Sequence, residues 1–123
     1  MGALARDIMG GGTSAGQAKA INGRVKTSIS AAGTTISDAT QLSATHNDIG
    51  TCASGAGVKL FNGEIGDELS VYNGGAAQCI VYPHSSSGTI NQLSAGTGVT
   101  LAQYTMCKFR RVTTTAWRAH LSA

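Results

Sequence analysis

The sequence predicts an all-β protein, a single small antiparallel β-sandwich or barrel-like domain with an extended N-terminal arm. Its 123 residues suffice for one domain with one modest core. Short runs rich in Thr, Val, Ile and Tyr alternate with glycine-containing turns, which is typical of strands. Charged residues make up only 12% of the chain, too few for the repeating Leu, Glu, Lys and Arg of a helical bundle. Plentiful apolar residues and a low net charge also exclude a disordered chain.

The first 24 residues differ from the rest. They contain the stretch Gly10-Gly11-Gly12-Thr13-Ser14-Ala15-Gly16, which has almost nothing to bury. We interpret residues 1–24 as an arm that is either ordered by contact with another chain or simply a disordered terminus. Residues 25–123 form the predicted β domain.

In the first half of that domain, Val25, Thr27 and Ile29 alternate with polar residues and predict a half-buried strand. Residues 34–36 suggest a short second strand. The segment 38–42 fits either a helical turn capped by Asp38 or an extended piece. Alternation resumes at residues 49–53, and residues 58–61 predict another strand.

The second half carries the denser strand signal. Residues 69–72 and 78–82 are predicted to pair as an antiparallel hairpin across Asn73-Gly74-Gly75, and Pro83 ends the returning strand. Short strands follow at 89–91 and 98–101. The longest candidate spans 104–112, with Cys107 and Phe109 inward and Lys108 and Arg110 outward. The last strand has Trp117, Ala119 and Leu121 on its apolar face and Arg118 and His120 opposite. Seven or eight short strands are typical of a sandwich or barrel.

Cysteine usage and hydropathy place the protein in a reducing, aqueous setting. Cys52, Cys79 and Cys107 form no CxxC or zinc pattern, and we predict small buried thiols, although one disulfide stays open as an alternative. No apolar run approaches the roughly 18 residues of a membrane span, and no signal peptide is visible. We therefore expect assembly in the host cytoplasm and no membrane partner.

Catalytic motifs are scarce. The sequence contains no GxSxG elbow, no HExxH and no Walker lysine. His46 and Asp48 would share one face of a strand, as an acid/base or metal pair or, as we favour, a surface hydrogen-bonded pair. His84 lies in the serine-rich loop 84–88, where a triad would need a carboxylate that the sequence does not reveal. We predict no enzyme activity and no catalytic residue, cofactor or metal.

Charge and aromatic residues suggest an interface instead. All acidic residues occur at or before Glu68, and only basic charges follow it. This basic third could meet an acidic partner or nucleic acid, but we favour a solvated sheet face and expect no nucleic acid, because four charges are a weak footprint. Aromatic residues within apolar strands favour core or interface packing over stacking on a sugar or base. The candidate interface residues are Lys108, Arg110, Arg111, Trp117, Tyr72, Tyr82 and Tyr104.

The chain from about residue 47 to its end resembles a family of small tailed-phage virion proteins. The resemblance rests on the order and spacing of short motifs: Ile49-x-Thr51-x-Ala53, Gly57-Val58-Lys59-Leu60, Val71-Tyr72-Asn73-Gly74-Gly75-Ala76, Val81-Tyr82-Pro83, Gly88-Thr89-Ile90-Asn91-Gln92-Leu93-Ser94-Ala95 and a final strand around Trp117. Some members of this group serve as capsid decoration (cement) proteins at local threefold positions. Arg110-Arg111 and Cys107 depart from the expected pattern of the long strand.

What the resemblance implies is a β-rich homotrimer that binds the major capsid protein on the outer surface of the virion and stabilises contacts between capsomers. It implies no catalytic residues. The alternative is a receptor- or glycan-binding head-fibre or tail domain, which would use the same sheet and exposed aromatic residues. Multivalent binding of identical subunits would raise avidity without a new type of contact.

Overall fold

The protein is all-β and without a helix across residues 24–121, the part of the chain that the computed structural model describes. The predicted all-β class is thus confirmed. Residues 1–23, which contain nearly all of the predicted arm, lie outside the described residues, as does the side chain of Leu121. Within the described range, no helix is long and apolar enough to cross a membrane. The ten strands of residues 24–121 are β1 Val25–Ser30, β2 Thr40–Gln41, β3 His46–Thr51, β4 Gly57–Lys59, β5 Glu68–Asn73, β6 Cys79–Tyr82, β7 Thr89–Ile90, β8 Val99–Leu101, β9 Met106–Arg111 and β10 Ala116–Leu121.

The strands form a solenoid-like stack, and the predicted sandwich or barrel is wrong. A six-stranded sheet has the order β1-β3-β5-β9-β10-β7, and a four-stranded sheet has the order β2-β4-β6-β8. From β1 to β6 the chain alternates between the two sheets, and each strand pairs in parallel with the strand one coil earlier. A sandwich is instead built from antiparallel strands that pair within a sheet. Among the ten described strands, antiparallel pairing involves β8, β9 and β10.

The predicted hairpin between residues 69–72 and 78–82 is also wrong. β5 belongs to the six-stranded sheet and β6 to the four-stranded sheet, so these strands do not pair. The buried Asn73 holds the corner between them: its Nδ2 donates to the carbonyl oxygens of Ala77 and Leu101, each at 2.9 Å, and its Oδ1 accepts from the Gly75 N–H at 2.9 Å. These bonds direct the chain across to the other sheet. A tight hairpin turn would instead have returned it beside β5.

The segment after β1 is a turn, so the short strand predicted at residues 34–36 is absent from the described structure. The Asp38 carboxylate accepts hydrogen bonds from the backbone N–H groups of Thr34 and Thr35 at 3.1 and 2.9 Å. These bonds hold the pKa of Asp38 below its usual value. The ambiguous segment 38–42 resolves as extended, because β2 occupies its middle.

The core lies between the two sheets and takes inward-facing residues from nearly every coil. It includes Ile29, Ile49, Val58, Leu60, Leu69, Val71, Val81, Ile90, Leu101, Phe109 and Trp117. Gly57 is needed where the Tyr82 ring crosses β4, since a Cβ there would lie 2.7 Å from the ring. The three cysteines are free, buried thiols, as predicted. Burial raises the pKa of the Cys107 thiol to about 11 and raises that of Cys79 as well.

Candidate interaction face on the large sheet

The side chains that could meet a partner collect on the solvent side of β3, β5, β9 and β10, which we call the outer face. Strand alternation sends every second residue of these strands outward, while their neighbours enter the core. The outer face carries His46, Asp48, Glu68, Ser70, Tyr72, Met106, Lys108, Arg110, Arg118 and His120, all half-buried or exposed.

Strand register arranges these residues in three rows across the sheet. One row runs Glu68–Arg110–Arg118, a second runs His46–Ser70–Lys108–His120, and a third runs Asp48–Tyr72–Met106. Neighbours within a row are about 5 Å apart and successive rows about 7 Å apart. The face is therefore a regular array of side chains of mixed charge.

The middle and third rows contain a hydrogen-bonded chain of three side chains. His46 Nε2 lies 2.8 Å from Asp48 Oδ1, and His46 Nδ1 lies 2.7 Å from Ser70 Oγ. Because a carboxylate only accepts, Nε2–H donates to Asp48, which leaves Nδ1 to accept from the Ser70 hydroxyl. The favoured prediction of a surface His46–Asp48 pair is confirmed, and Ser70 is the third partner that the sequence did not reveal.

This chain has the polarity of a proton relay, but its environment does not favour catalysis. The side chains of His46 and Asp48 are 35% and 40% exposed, so water screens their interaction. An activated serine also requires donors preorganised for an oxyanion. The cation nearest to Ser70 in register is Lys108, whose side chain is exposed. Its ammonium group lies at the end of a long side chain with several rotatable bonds, so it is not a preorganised donor. Register and hydrogen bonding between β3 and β5 account for the arrangement.

Beside this chain, the outer face holds a shallow groove between β9 and β10. Its volume is about 260 Å³, and it is lined by Glu68, Lys108, Phe109, Arg110, Arg118, Ala119 and His120. Arg110 donates from Nε to Glu68 Oε2 at 2.8 Å and also makes a second contact through Nη2. That hydrogen bond, with the charge of Arg110, holds the pKa of Glu68 below its usual value.

A second polar cluster lies under the loops next to β9 and β10, and we call it the Arg111 corner. Arg111 is only 7% exposed, and its Nη1 donates to Asn62 Oδ1 at 2.8 Å and to the Gly63 carbonyl at 2.7 Å. Its other nitrogens donate to the carbonyls of Thr113 and Thr114. The guanidinium is thus buried by neutral acceptors of two loops, which it ties to the end of β9.

Trp117 and His84 complete the Arg111 corner. The fully buried Trp117 donates from Nε1 to His84 Nδ1 at 2.9 Å, and its ring centroid lies 6.0 Å from the Arg111 guanidinium carbon. Since Nδ1 accepts, neutral His84 carries its proton on Nε2, so the 3.3 Å contact of that atom with Arg111 Nη2 is not a hydrogen bond. Burial and the Arg111 charge lower the pKa of His84. The corner is therefore built for a neutral imidazole.

The predicted interface residues do not form one group. Tyr72, Lys108 and Arg110 lie together on the outer face, in three successive rows. Tyr104 is 68% exposed but precedes β9 in a turn with φ of 64°. The remaining three are buried within the chain: Arg111, Trp117 and Tyr82.

Sequence reasoning missed Glu68, Ser70 and Arg118 as members of the same surface. The outward direction of Arg118 and His120 was predicted from alternation in β10. Their alignment with Glu68 and Ser70 depends on which strands pair, and β5 and β9 are joined by a long stretch that includes three other strands. Only a correct assignment of that pairing could have revealed the common surface.

Among residues 24–121, no group of three or more His, Cys, Asp or Glu side chains is placed to hold a metal ion. No family model matches this chain, and comparisons with curated proteins and with solved structures found no match either. The geometry described above and the motifs of the sequence are therefore the basis for a functional proposal.

Proposed function

We propose that this protein is a structural virion protein that binds the outer surface of a phage capsid and stabilises contacts between capsomers. Its partner is the major capsid protein, it acts as a homotrimer, and it joins the virion after assembly in the host cytoplasm. The role requires no catalysis. One observation carries the proposal: the outer face is four strands wide and lined by half-buried or exposed side chains of both charges. Such a surface fits another protein better than a small molecule, which prefers a deep apolar pocket.

The core supports this role because it makes the outer face rigid. The inward residues of the same strands, Leu69, Val71, Cys107 and Phe109, are at most 2% exposed. A rigid surface loses little conformational entropy on binding, so more of the contact energy remains for affinity. Repetition of such a surface in a trimer would add avidity, which suits a lattice of identical capsomers.

The alternative of receptor or glycan binding has less support. Sugar recognition commonly uses exposed aromatic rings as stacking platforms. Here Trp117 is fully buried, Tyr82 is 8% exposed, and the exposed Tyr104 lies outside the outer face. Tyr72 is the one aromatic side chain that the described outer face presents.

The proposal is tested with purified protein and heads of the source phage assembled without it. Co-sedimentation measures binding, and gold-labelled antibody on intact virions locates the bound protein. The double variant Lys108→Glu/Arg118→Glu reverses two charges on the outer face, and we expect it to bind at least about tenfold more weakly than the unmodified protein. The matched control Lys26→Glu/Lys59→Glu makes the same charge change on β1 and β4, away from the outer face.

Saturable binding to heads, with gold over the whole head, supports the proposal. Gold confined to the tail or a vertex would transfer the protein to the adhesin class. Absence of both binding and labelling would reject a virion role. Equal losses in the two double variants would show that net charge, and not the outer face, governs binding.

A further inference from the structure

Two cations of the groove between β9 and β10, Lys108 and Arg118, form no ion pair among the described residues, although the charge of Lys108 contributes to the lowered pKa of Glu68. Glu68 is paired with Arg110, and the other described ion pair joins His46 to Asp48. Lys108 and Arg118 are both exposed and belong to neither pair. The groove therefore carries more positive than negative charge, and its one carboxylate, Glu68, is already paired with Arg110.

Register brings Lys108 and Arg118 close to two further basic side chains. Lys108 lies opposite His120, and Arg110 lies opposite Arg118, on adjacent antiparallel strands. The four side chains stand at the corners of a rectangle of about 5 by 7 Å. A rectangle of this size matches one or two carboxylates, and arginine can bind such a group through two parallel hydrogen bonds.

We propose that this groove binds the carboxylates of an acidic segment on the partner protein. The inference rests on the proposed function in one respect, that the outer face is the docking surface. It adds the chemistry of the partner: Asp or Glu side chains that enter the groove, with Arg118 and Lys108 as their main contacts and the Glu68–Arg110 pair at one side. Electrostatic attraction of this kind sets orientation and association rate.

The arrangement favours protein carboxylates over nucleic acid. A nucleic-acid surface usually tracks the phosphate backbone with a stripe of cations and often interleaves aromatic rings. This cluster is compact, and its Phe109 ring is 1% exposed, so it offers neither an extended stripe of cations nor a stacking platform. An acidic side chain can instead approach the Arg118 corner of the rectangle without meeting Glu68, because β9 lies between them.

The test uses the full chain and a fluorescein-labelled octaglutamate peptide, followed by polarisation at neutral pH and low ionic strength. Octaglutamine and oligothymidylate serve as comparison probes. We expect octaglutamate to bind, rising salt to weaken binding, and Lys108→Glu/Arg118→Glu to weaken it at least about tenfold. The control Lys26→Glu/Lys59→Glu should change it much less. Amide chemical shifts should move mainly in β9 and β10.

Three results would overturn the inference. Tighter binding of oligothymidylate than of octaglutamate would assign the groove to nucleic acid. A dimer that forms with rising concentration, is abolished by the groove variant and excludes the peptide would assign it to a second copy. Equal losses of octaglutamate affinity in the groove variant and the control would show that the peptide does not bind at the groove.

Because this assay contains no phage heads, its outcome is separate from that of the proposed function. Peptide binding without head binding would reject the virion role and retain the groove. Head binding that survives Lys108→Glu/Arg118→Glu, with no peptide binding, would retain the virion role and reject the groove.

Discussion

At the β1 end of the six-stranded sheet, five of the six strand residues are exposed and only Ile29 is buried. At the other end, β9 and β10 lie between β5 and β7 and bury Cys107, Phe109 and Trp117 almost completely. Both ends belong to the same sheet and share its core. They differ in what covers them.

The difference shows two ways of ending a stack of coils. β1 has one strand neighbour in the described structure, and its pairing with β3 is interrupted by register shifts around Ile29 and by Ser28, whose φ is 58°. Such irregularity makes an edge a poor template for pairing with another strand. The β9–β10 end instead combines the antiparallel β9–β10 pair with the short β7, which pairs in parallel with β10, and with the Arg111 corner under the neighbouring loops. We call the β9–β10 end the closed end and the β1 end, as described, the open end. We therefore expect buried residues of the closed end to contribute more to the free energy of unfolding than residues of the open end.

The largest effect should come from Trp117, which is fully buried, whereas Val25 at the open end is 64% exposed. Trp117→Ala should lower the free energy of unfolding by about 3–5 kcal/mol, through lost contacts and a cavity. Val25→Ala should change it by about 0.5 kcal/mol or less. Urea unfolding measures both. If Trp117→Ala does not fold, Trp117→Phe should still destabilise more than Val25→Ala; similar costs at the two sites would remove the contrast between the ends.

A smaller loss is expected when the Arg111 corner is opened. Arg111→Met leaves acceptors such as Asn62 Oδ1 and the Gly63 carbonyl without their donor, and should cost about 2–4 kcal/mol. The control is Arg110→Met, one residue away, which removes an exposed ion pair with Glu68 and should barely shift the urea midpoint. Equal free energies of unfolding for the two variants would contradict the expectation that the Arg111 corner stabilises the closed end.

The smallest effect should be a pH dependence that belongs to the closed end. The pKa of His84 lies below its ordinary value of 6.5, so the unfolded chain binds a proton more readily than the folded protein. The contribution of neutral His84 is therefore present above pH 6.5 and is lost as pH falls through and below that value. His84→Asn retains an acceptor for Trp117 and does not titrate.

Urea unfolding at a series of pH values compares the two proteins. Acidification should destabilise the unmodified protein more than His84→Asn, and the difference between them isolates this residue from other titrating groups. Parallel pH profiles would mean that protonation of His84 does not disturb the Arg111 corner.

The parts of the fold that could be predicted from the sequence are those governed by local alternation. Cys107 and Phe109 point inward and Lys108 and Arg110 outward, as period two requires of a strand with neighbours on both sides. The same rule overestimated the burial of β1, because Val25 and Thr27 were expected to be buried with Ile29 but are exposed. Among the described residues β1 has a single strand neighbour, β3, so alternation alone does not ensure burial.

The turn at Asn73-Gly74-Gly75 could be predicted from local sequence, but the direction of the chain after it could not. The motif correctly marks a change of direction, but the direction depends on the hydrogen bond of Asn73 to Leu101, a residue on β8. Likewise, His46 and Asp48 could be paired from their spacing, whereas Ser70 entered only through the parallel register of β3 and β5. Three of the seven candidate interface residues, Tyr72, Lys108 and Arg110, were placed on one surface by tertiary pairing.

Four properties could be predicted from the amino-acid sequence: the all-β class, the inward and outward residues of β9 and β10, the burial of the three thiols and the basic character of the C-terminal third. These properties follow from alternation, propensity and composition, which act over a few neighbouring residues. Three features depend on how distant strands pair: the parallel stacking of coils, the His46–Asp48–Ser70 chain, and the placement of Glu68 and Arg118 on either side of Arg110. Parallel pairing joins segments a whole coil apart, and its register is set by packing of the shared core rather than by any local residue pattern.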